Sequence, residues 1–187
     1  ISEWVKTVEN TFITSGFVKK KVQIAEKSAT IYYLEGLSDE KRLEEIIDEL
    51  SNDPPHIDDY LENQADKIQD VNQFELSITQ GDAVWVEEGG TGVYSLSTKN
   101  TFQRALVPPT IDNSLKGTKI SFVETYQTNI GLLRRLIQNR NFKTEELKIG
   151  TENQSMIVVT YLDGVADNEI VTKVKEALSN IKQDRII

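Results

Sequence analysis

The sequence Tyr-Leu-Glu-Gly-Leu-Ser-Asp at residues 33–39 returns almost unchanged, as Tyr-Leu-Asp-Gly-Val-Ala-Asp, at residues 161–167. The two stretches lie 128 positions apart, and at that spacing the apolar residues downstream also correspond: Leu43 with Val171, Ile46 with Val174, and Leu50 with Leu178. A β-branched run precedes each copy, and an apolar pattern of helical period follows it. The sequence therefore predicts a repeated unit of strand, tight turn and helix.

The turn of each unit is predicted at a glycine. Gly36 and Gly164 stand where an extended segment must reverse into a helix, and glycine tolerates the backbone angles that such a reversal needs. Ser38 is the predicted N-cap of the first helix. Because the equivalent residue in the second copy is Ala166, either Asp167 or Asp163 is predicted to cap the second helix.

Composition excludes several classes of protein. The 187 residues carry a net charge of −9, which disfavours non-specific binding to nucleic acid. Cysteine is absent, so disulfides, thiol nucleophiles and zinc-thiolate sites are excluded together. No apolar run approaches the roughly 20 residues that cross a bilayer, and the first residues given show no signal-peptide pattern. The only methionine is Met156, so the chain reads as a piece of a longer protein.

The remaining patterns predict an α/β (α+β) fold with two small lobes, each built around a strand-strand-turn-helix repeat. A long helix and a hairpin join the lobes, or the hairpin completes one of them. The predicted units are residues 1–53, 54–118 and 119–187. Helices are predicted at residues 2–14, 39–50, 57–65, 70–79, 119–140 and 168–181, although the spacing within residues 70–79 also fits a strand. Strands are predicted at residues 17–25, 29–34, 83–86, 93–96, 146–149 and 155–162.

Catalytic patterns are weak, and the sequence predicts neither an enzyme nor a cofactor. The single histidine, His56, follows two prolines and has no partner that the sequence places beside it. No serine lies in a Gly-x-Ser-x-Gly elbow. Asp163, Asp167 and Glu169 suggest a cation site as an alternative, but they lack the full ligand set of a calcium loop, and acidic residues are common in the first turn of a helix. No catalytic, cofactor-binding or metal-binding residue is predicted.

The polar residues on and before the predicted long helix suggest structural braces. Arg134 and Arg135 follow its apolar stripe and Asn129, and Glu124 lies upstream in the same helix. Arginine suits bidentate pairing across a boundary between lobes or subunits. Glu124 is expected to help anchor the loop that carries Arg104. These five residues are the candidate structural or coupling site.

At these residues the chain resembles the amino-terminal soluble domain of the A subunit of bacterial spore germinant receptors of the GerA type. The resemblance covers nearly the whole chain. Its motifs are Arg104, Gly117, Phe122, Glu124, the string Asn-Ile-Gly-Leu-Leu-Arg-Arg at residues 129–135, Leu-Lys-Ile-Gly at residues 147–150, the two repeat turns and Gly81-Asp82. The chain differs from the family pattern after Gly117, before Pro109 and at Leu136.

The resemblance implies a receptor component in nutrient-triggered spore germination. In that family the A subunit continues into transmembrane helices and acts with B and C subunits in the spore inner membrane. The domain is then expected on the cytoplasmic or spore-core side. Two functions remain open: a signal-coupling and assembly module that contacts other subunits or copies of itself, or a domain that binds a small germinant, such as an amino acid or sugar, between the lobes.

Overall fold

The computed structural model describes residues 1–14, 16–52, 57–99, 122–151 and 154–181. Its helices are α1 (Ser2–Thr11), α2 (Glu40–Asn52), α3 (Ile57–Asn63), α4 (Val71–Gln80), α5 (Tyr126–Ile137) and α6 (Asn168–Ser179). Its strands are β1 (Phe17–Ile24), β2 (Lys27–Leu34), β3 (Asp66–Lys67), β4 (Ala83–Glu87), β5 (Val93–Leu96), β6 (Phe142–Ile149) and β7 (Ser155–Leu162). Helices and antiparallel sheets are mixed, as the predicted fold class requires.

The strands form two sheets. The first has the order β1-β2-β4-β5-β3, and the second consists of β6 and β7 alone. The hairpin of β4 and β5 completes the first sheet, which is one of the two placements that the sequence leaves open. Two apolar clusters line this sheet, and all of their members lie within residues 1–96. The unit boundaries at residues 53 and 118 stay a prediction.

The repeat is present in the backbone, and its two turns are built alike. Gly36 has φ +81° and Gly164 has φ +75°, so both use the left-handed region. In the first copy the two amides after the glycine donate to the carbonyl of Leu34, at 3.1 and 3.0 Å, and in the second copy their counterparts donate to the carbonyl of Leu162, at 3.2 and 2.8 Å. Both glycines therefore form the turns that the sequence predicts at these positions.

The repeat extends further upstream than the sequence indicates. Phe17 pairs with Leu34 in the first hairpin, and Phe142 pairs with Leu162 in the second. These phenylalanines lie 125 positions apart and the leucines 128, because the second hairpin loop is three residues longer. The insertion hides the correspondence of β1 with β6. Strand β6 begins at Phe142, four residues before the predicted strand, and has eight residues, as β1 does.

The cap of the first repeat helix differs from the prediction. The carboxylate of Asp39 accepts hydrogen bonds from the amides of Lys41 and Arg42, at 3.1 and 3.2 Å, so Asp39 and not Ser38 is the N-cap. The hydroxyl of Ser38 is buried and has no hydrogen-bond partner among the described residues. Asp167 caps the second helix through the amide of Glu169, at 2.8 Å, which confirms one of the two predicted alternatives.

A pair of alanine substitutions tests this cap. Asp39→Ala is expected to lower the free energy of unfolding by about 1 kcal/mol, because two amides of the first turn lose their acceptor. Ser38→Ala serves as the matched control and is expected to be neutral or slightly stabilising, since its buried hydroxyl has no partner to lose. Urea unfolding followed by circular dichroism measures both. Equal losses in the two variants would contradict this assignment of the cap.

The predicted long helix is shorter than expected at both ends. Residues 119–121 lie outside the described residues, and residues 122–125 are not helical. The side chain of Asn129 accepts from the amide of Val123 at 2.8 Å and donates to its carbonyl at 2.7 Å, which holds this segment beside the helix. At the other end Gln138 adopts φ +42° and stops the helix. The longest described helix is therefore α2.

Candidate functional site: the joint between the repeats

The two repeats meet at a polar contact, which we call the joint. Helix α5 and strand β6 supply one side of it, and helix α1, the start of β1 and the Gly36 turn supply most of the other. Neither apolar cluster includes a residue of α5 or of the second repeat. The contacts described below connect α5 and the second repeat to the first.

Two glycines allow the backbones to approach each other. A Cβ atom on Gly131, in the middle of α5, would lie 2.4 Å from the carbonyl oxygen of Gly36. A Cβ atom on Gly36 would in turn lie 3.0 Å from the carbonyl oxygen of Gln127. Helix α5 therefore crosses directly over the turn of the first repeat, and Gly36 serves both the turn and this crossing.

Arg134 lies at the centre of the joint. Its guanidinium donates to the backbone carbonyl of Glu35 at 2.9 Å and to the hydroxyl of Thr144 at 3.0 Å, so it connects the turn of the first repeat to a strand of the second. The side chain is buried, and burial lowers the pKa of Arg134 to about 10, although the charges of Glu35 and Glu146 oppose this shift. Arg134 remains a cation at neutral pH.

Two threonines join the segment that follows α1 to strand β6. The amide of Thr144 donates to the hydroxyl of Thr14 at 2.8 Å, and the two hydroxyl oxygens lie 2.9 Å apart. Thr144 is fully buried. The hydroxyl of Thr144 also accepts a hydrogen bond from the guanidinium of Arg134, so the contacts form one connected network.

Two further cations complete the joint. The ammonium of Lys143, largely buried, donates to the carbonyl of Thr11, and burial lowers the pKa of this lysine. Arg140 forms an ion pair with the buried carboxylate of Glu75 at 2.5 Å, and the hydroxyl of Thr11 donates to the same carboxylate at 2.9 Å. Helix α4 is thus tied to the residues between α5 and β6.

The five predicted site residues lie in different environments in the structure. Arg134 is buried in the joint, and Asn129 holds the segment before α5. Arg135 is exposed on α5. Glu124 is exposed and forms no ion pair with the described residues. Arg104 lies outside the described residues, so its anchoring by Glu124 stays a prediction.

Sequence reasoning missed most residues of the joint. Thr14, Thr144 and Glu75 lie in segments with no pattern that distinguishes them from surface residues. Gly131 carries a usable signal, because glycine inside a helix costs about 1 kcal/mol relative to alanine and usually has a packing reason.

The joint offers little room for a ligand, whereas a neighbouring cleft is open. Two cavities at Arg134 measure about 10 Å³ each, the space of roughly one water molecule. Beside the joint, a cleft of about 700 Å³ lies between the end of α1 and the second repeat. Its lining includes Asn10, Thr14, Lys143, Glu145, Glu146, Tyr161 and Asp163.

Glu145 is held in place at the edge of this cleft. Its carboxylate accepts a hydrogen bond from the hydroxyl of Tyr161 at 2.5 Å and pairs with the ammonium of Lys175 at 2.9 Å. The hydrogen bond raises the pKa of Tyr161 to about 12, and both partners lower the pKa of Glu145. No group of three metal-ligating side chains occurs within the described ranges.

Comparison with known proteins identifies the family. Residues 4–187 match the family model described as Bacillus/Clostridium GerA spore germination protein, and the chain belongs to this family. It is 28% identical over 190 aligned positions to spore germination protein KA of Bacillus subtilis (strain 168), an alignment that covers 93% of the chain and 35% of that protein. Spore germination protein A1 of the same organism is 27% identical over 177 positions, covering 90% and 36%.

A solved structure shows the same fold. The N-terminal domain of the A subunit of the Bacillus megaterium spore germinant receptor GerK3 superposes with a TM-score of 0.75 at 22% identity, covering 97% of this chain and 72% of that one. The chain spans about a third of the length of the curated relatives it matches. In the part of the chain that the structure describes, no helix is long and apolar enough to cross a membrane.

Proposed function

We propose that this chain is the N-terminal domain of a germinant receptor A subunit and acts as a signal-coupling and assembly module in nutrient-triggered spore germination. The observation that carries the proposal is the polar joint. Interfaces within a chain permit relative movement of the parts they join unless they are large and hydrophobic. A shift of one repeat against the other is then the signal that the domain passes on.

The rest of the proposal concerns the receptor as a whole. The A subunit is attached to the spore inner membrane through helices outside these residues, and this domain faces the cytoplasm or spore core. The B and C subunits, and other copies of the A subunit, are its partners. The domain performs no catalysis and needs no cofactor. The family membership and the fold of the GerK3 domain support this assignment.

A reversible disulfide across the joint tests the coupling role. The hydroxyls of Thr14 and Thr144 lie 2.9 Å apart, which suits a disulfide between cysteines at these positions, and the chain has no cysteine of its own. Full-length receptor with Thr14→Cys and Thr144→Cys is expected to lose nutrient-triggered germination when oxidised and to regain it after reduction. Each single substitution is the control. Normal germination of spores with the oxidised, cross-linked receptor would contradict the coupling role.

The alternative function is binding of a small germinant in the cleft. The carboxylates of Glu145, Glu146 and Asp163 favour a ligand with an ammonium group, such as an amino acid. An NMR titration of the 187-residue chain against amino acids, sugars and inorganic ions tests it. Saturable shifts at these residues would support germinant binding, and a flat response in a folded sample would exclude it for the ligands tried.

A further inference from the structure

The Gly36 turn is in close backbone contact with two other elements. Helix α5 crosses it at Gly36, whose carbonyl oxygen would lie 2.4 Å from a Cβ atom on Gly131. The end of α4 meets it one residue later, where a Cβ atom on Gly81 would lie 2.8 Å from the carbonyl oxygen of Leu37. Because the glycines bring backbone against backbone, neither contact has a flexible side chain that could absorb a displacement.

The residues after the turn hold a short segment that follows β5. The amide of Asp39 donates to the carbonyl of Thr98 at 2.6 Å, and Ser38 forms a single antiparallel bridge with Lys99. The hydroxyl of Thr98, which is 1% exposed, donates to the carbonyl of Gly81 at 3.2 Å. Residues 98–99 are therefore bound both to the turn and to the end of α4 that contacts the turn.

An ion pair fixes Lys99 at the start of β4. Its ammonium lies 3.1 Å from the carboxylate of Asp82, whose side chain is only 11% exposed. Burial raises the pKa of Asp82, and the contact with Lys99 opposes this shift. The buried charge of Asp82 is thus stabilised by a cation whose position depends on the bridge to Ser38.

We propose that residues 36–39 transmit a displacement of α5 at the joint to the ion pair between Asp82 and Lys99. Packed protein interiors have low compressibility and transmit strain, so a movement of α5 against Gly36 shifts the turn and the bridge to Lys99 with it. Coupling of this kind is reciprocal, so weakening the ion pair also changes the joint. The inference rests on the proposed function, because it names where a shift of the second repeat leads.

A double-mutant cycle tests the coupling. Gly131→Ala displaces α5 from the turn, and Lys99→Met removes the ammonium but keeps a long side chain. Alone, Lys99→Met is expected to raise the equilibrium constant for unfolding about tenfold, because Asp82 loses its counter-ion. In the Gly131→Ala background the increase is expected to be only about twofold, since the ion pair is already weakened. Urea unfolding of the four proteins gives these factors.

Lys27→Met is the matched control for Lys99→Met. Lys27 pairs with Glu87 at 3.1 Å, at the opposite end of β2 from the turn. Its effect on the unfolding equilibrium is therefore expected to be the same with and without Gly131→Ala, within about twofold. An equal effect of Lys99→Met in both backgrounds, or an equally large change for Lys27→Met, would overturn the inference.

NMR of Lys99→Met measures the reverse direction and does not require Gly131→Ala to fold. The side chain of Lys99 is 51% exposed, so this variant is expected to keep its fold. The amide signals of Gly36 and Gly131 are expected to shift, and to stay in place in Lys27→Met. Unchanged signals at both glycines in Lys99→Met would overturn the inference.

These results are separate from those of the disulfide between Thr14 and Thr144. Normal germination with the oxidised receptor would contradict the coupling role, whereas the double-mutant cycle and the NMR shifts would still report whether the turn connects α5 to the ion pair. A cycle without coupling would in turn leave the effect of the disulfide on germination unchanged.

Discussion

Replacement of Arg134 by alanine is expected to lower the free energy of unfolding by about 1.5–3 kcal/mol, the range for losing hydrogen bonds to a charged group. The carbonyl of Glu35 and the hydroxyl of Thr144 would lose their donor inside the joint. The amide of Thr144 is also expected to exchange with solvent faster, because the network that covers it is opened. Urea unfolding and amide exchange by NMR measure the two effects.

Arg135→Ala is the matched control for this experiment. It removes the same side chain from the next position of α5, where the residue is exposed, so the expected loss is under about 1 kcal/mol. Arg134→Lys keeps the charge but loses the planar guanidinium, and is expected to recover only part of the stability that Arg134→Ala loses. Equal losses for Arg134→Ala and Arg135→Ala would show that the joint does not depend on Arg134.

The second large effect is expected from Gly131→Ala. The added Cβ atom would stand 2.4 Å from the carbonyl oxygen of Gly36, a backbone atom that cannot rotate away. Helix α5 must therefore move off the turn, at a cost of about 1–3 kcal/mol typical of overpacking. At an unconstrained helix position, replacing glycine by alanine would stabilise the protein by up to about 1 kcal/mol. A loss of stability in Gly131→Ala would therefore indicate the close contact with Gly36.

Thr128→Ala in the same helix is the control for Gly131→Ala. Thr128 lies one turn away, and alanine there is expected to stabilise α5 by a few tenths of a kcal/mol through its helix propensity. The free energies of unfolding of both variants, from urea titrations at one temperature, give the comparison. If Gly131→Ala were as stable as Thr128→Ala, the close crossing of α5 over Gly36 would be wrong.

The local pattern predicted the elements well where one face of each is apolar. Strand β7 and helices α2, α4 and α6 lie within a few residues of their predicted bounds. The pattern failed for β6, whose first residues include Lys143 and Thr144. These polar residues are buried because the joint satisfies them, so the strand lacks the apolar alternation that sequence reasoning requires.

The site was predicted only at its centre. An arginine after an apolar stripe suggested a brace, and Arg134 occupies such a position. Other residues of the joint, such as Thr14 and Glu75, lie about 60 or more positions before Arg134, and a single sequence does not show which distant polar groups meet.

The sequence by itself determined the repeat, the turns at Gly36 and Gly164, the α/β class and the resemblance to germinant receptor A subunits. Local chemistry is sufficient for these, since turn angles and helical periods depend on neighbours along the chain. Only the tertiary structure decided that the β4-β5 hairpin joins the first sheet, that Asp39 replaces Ser38 as the cap, and that a polar joint connects the repeats. Those outcomes depend on strand pairing and burial between distant segments, which no local pattern specifies.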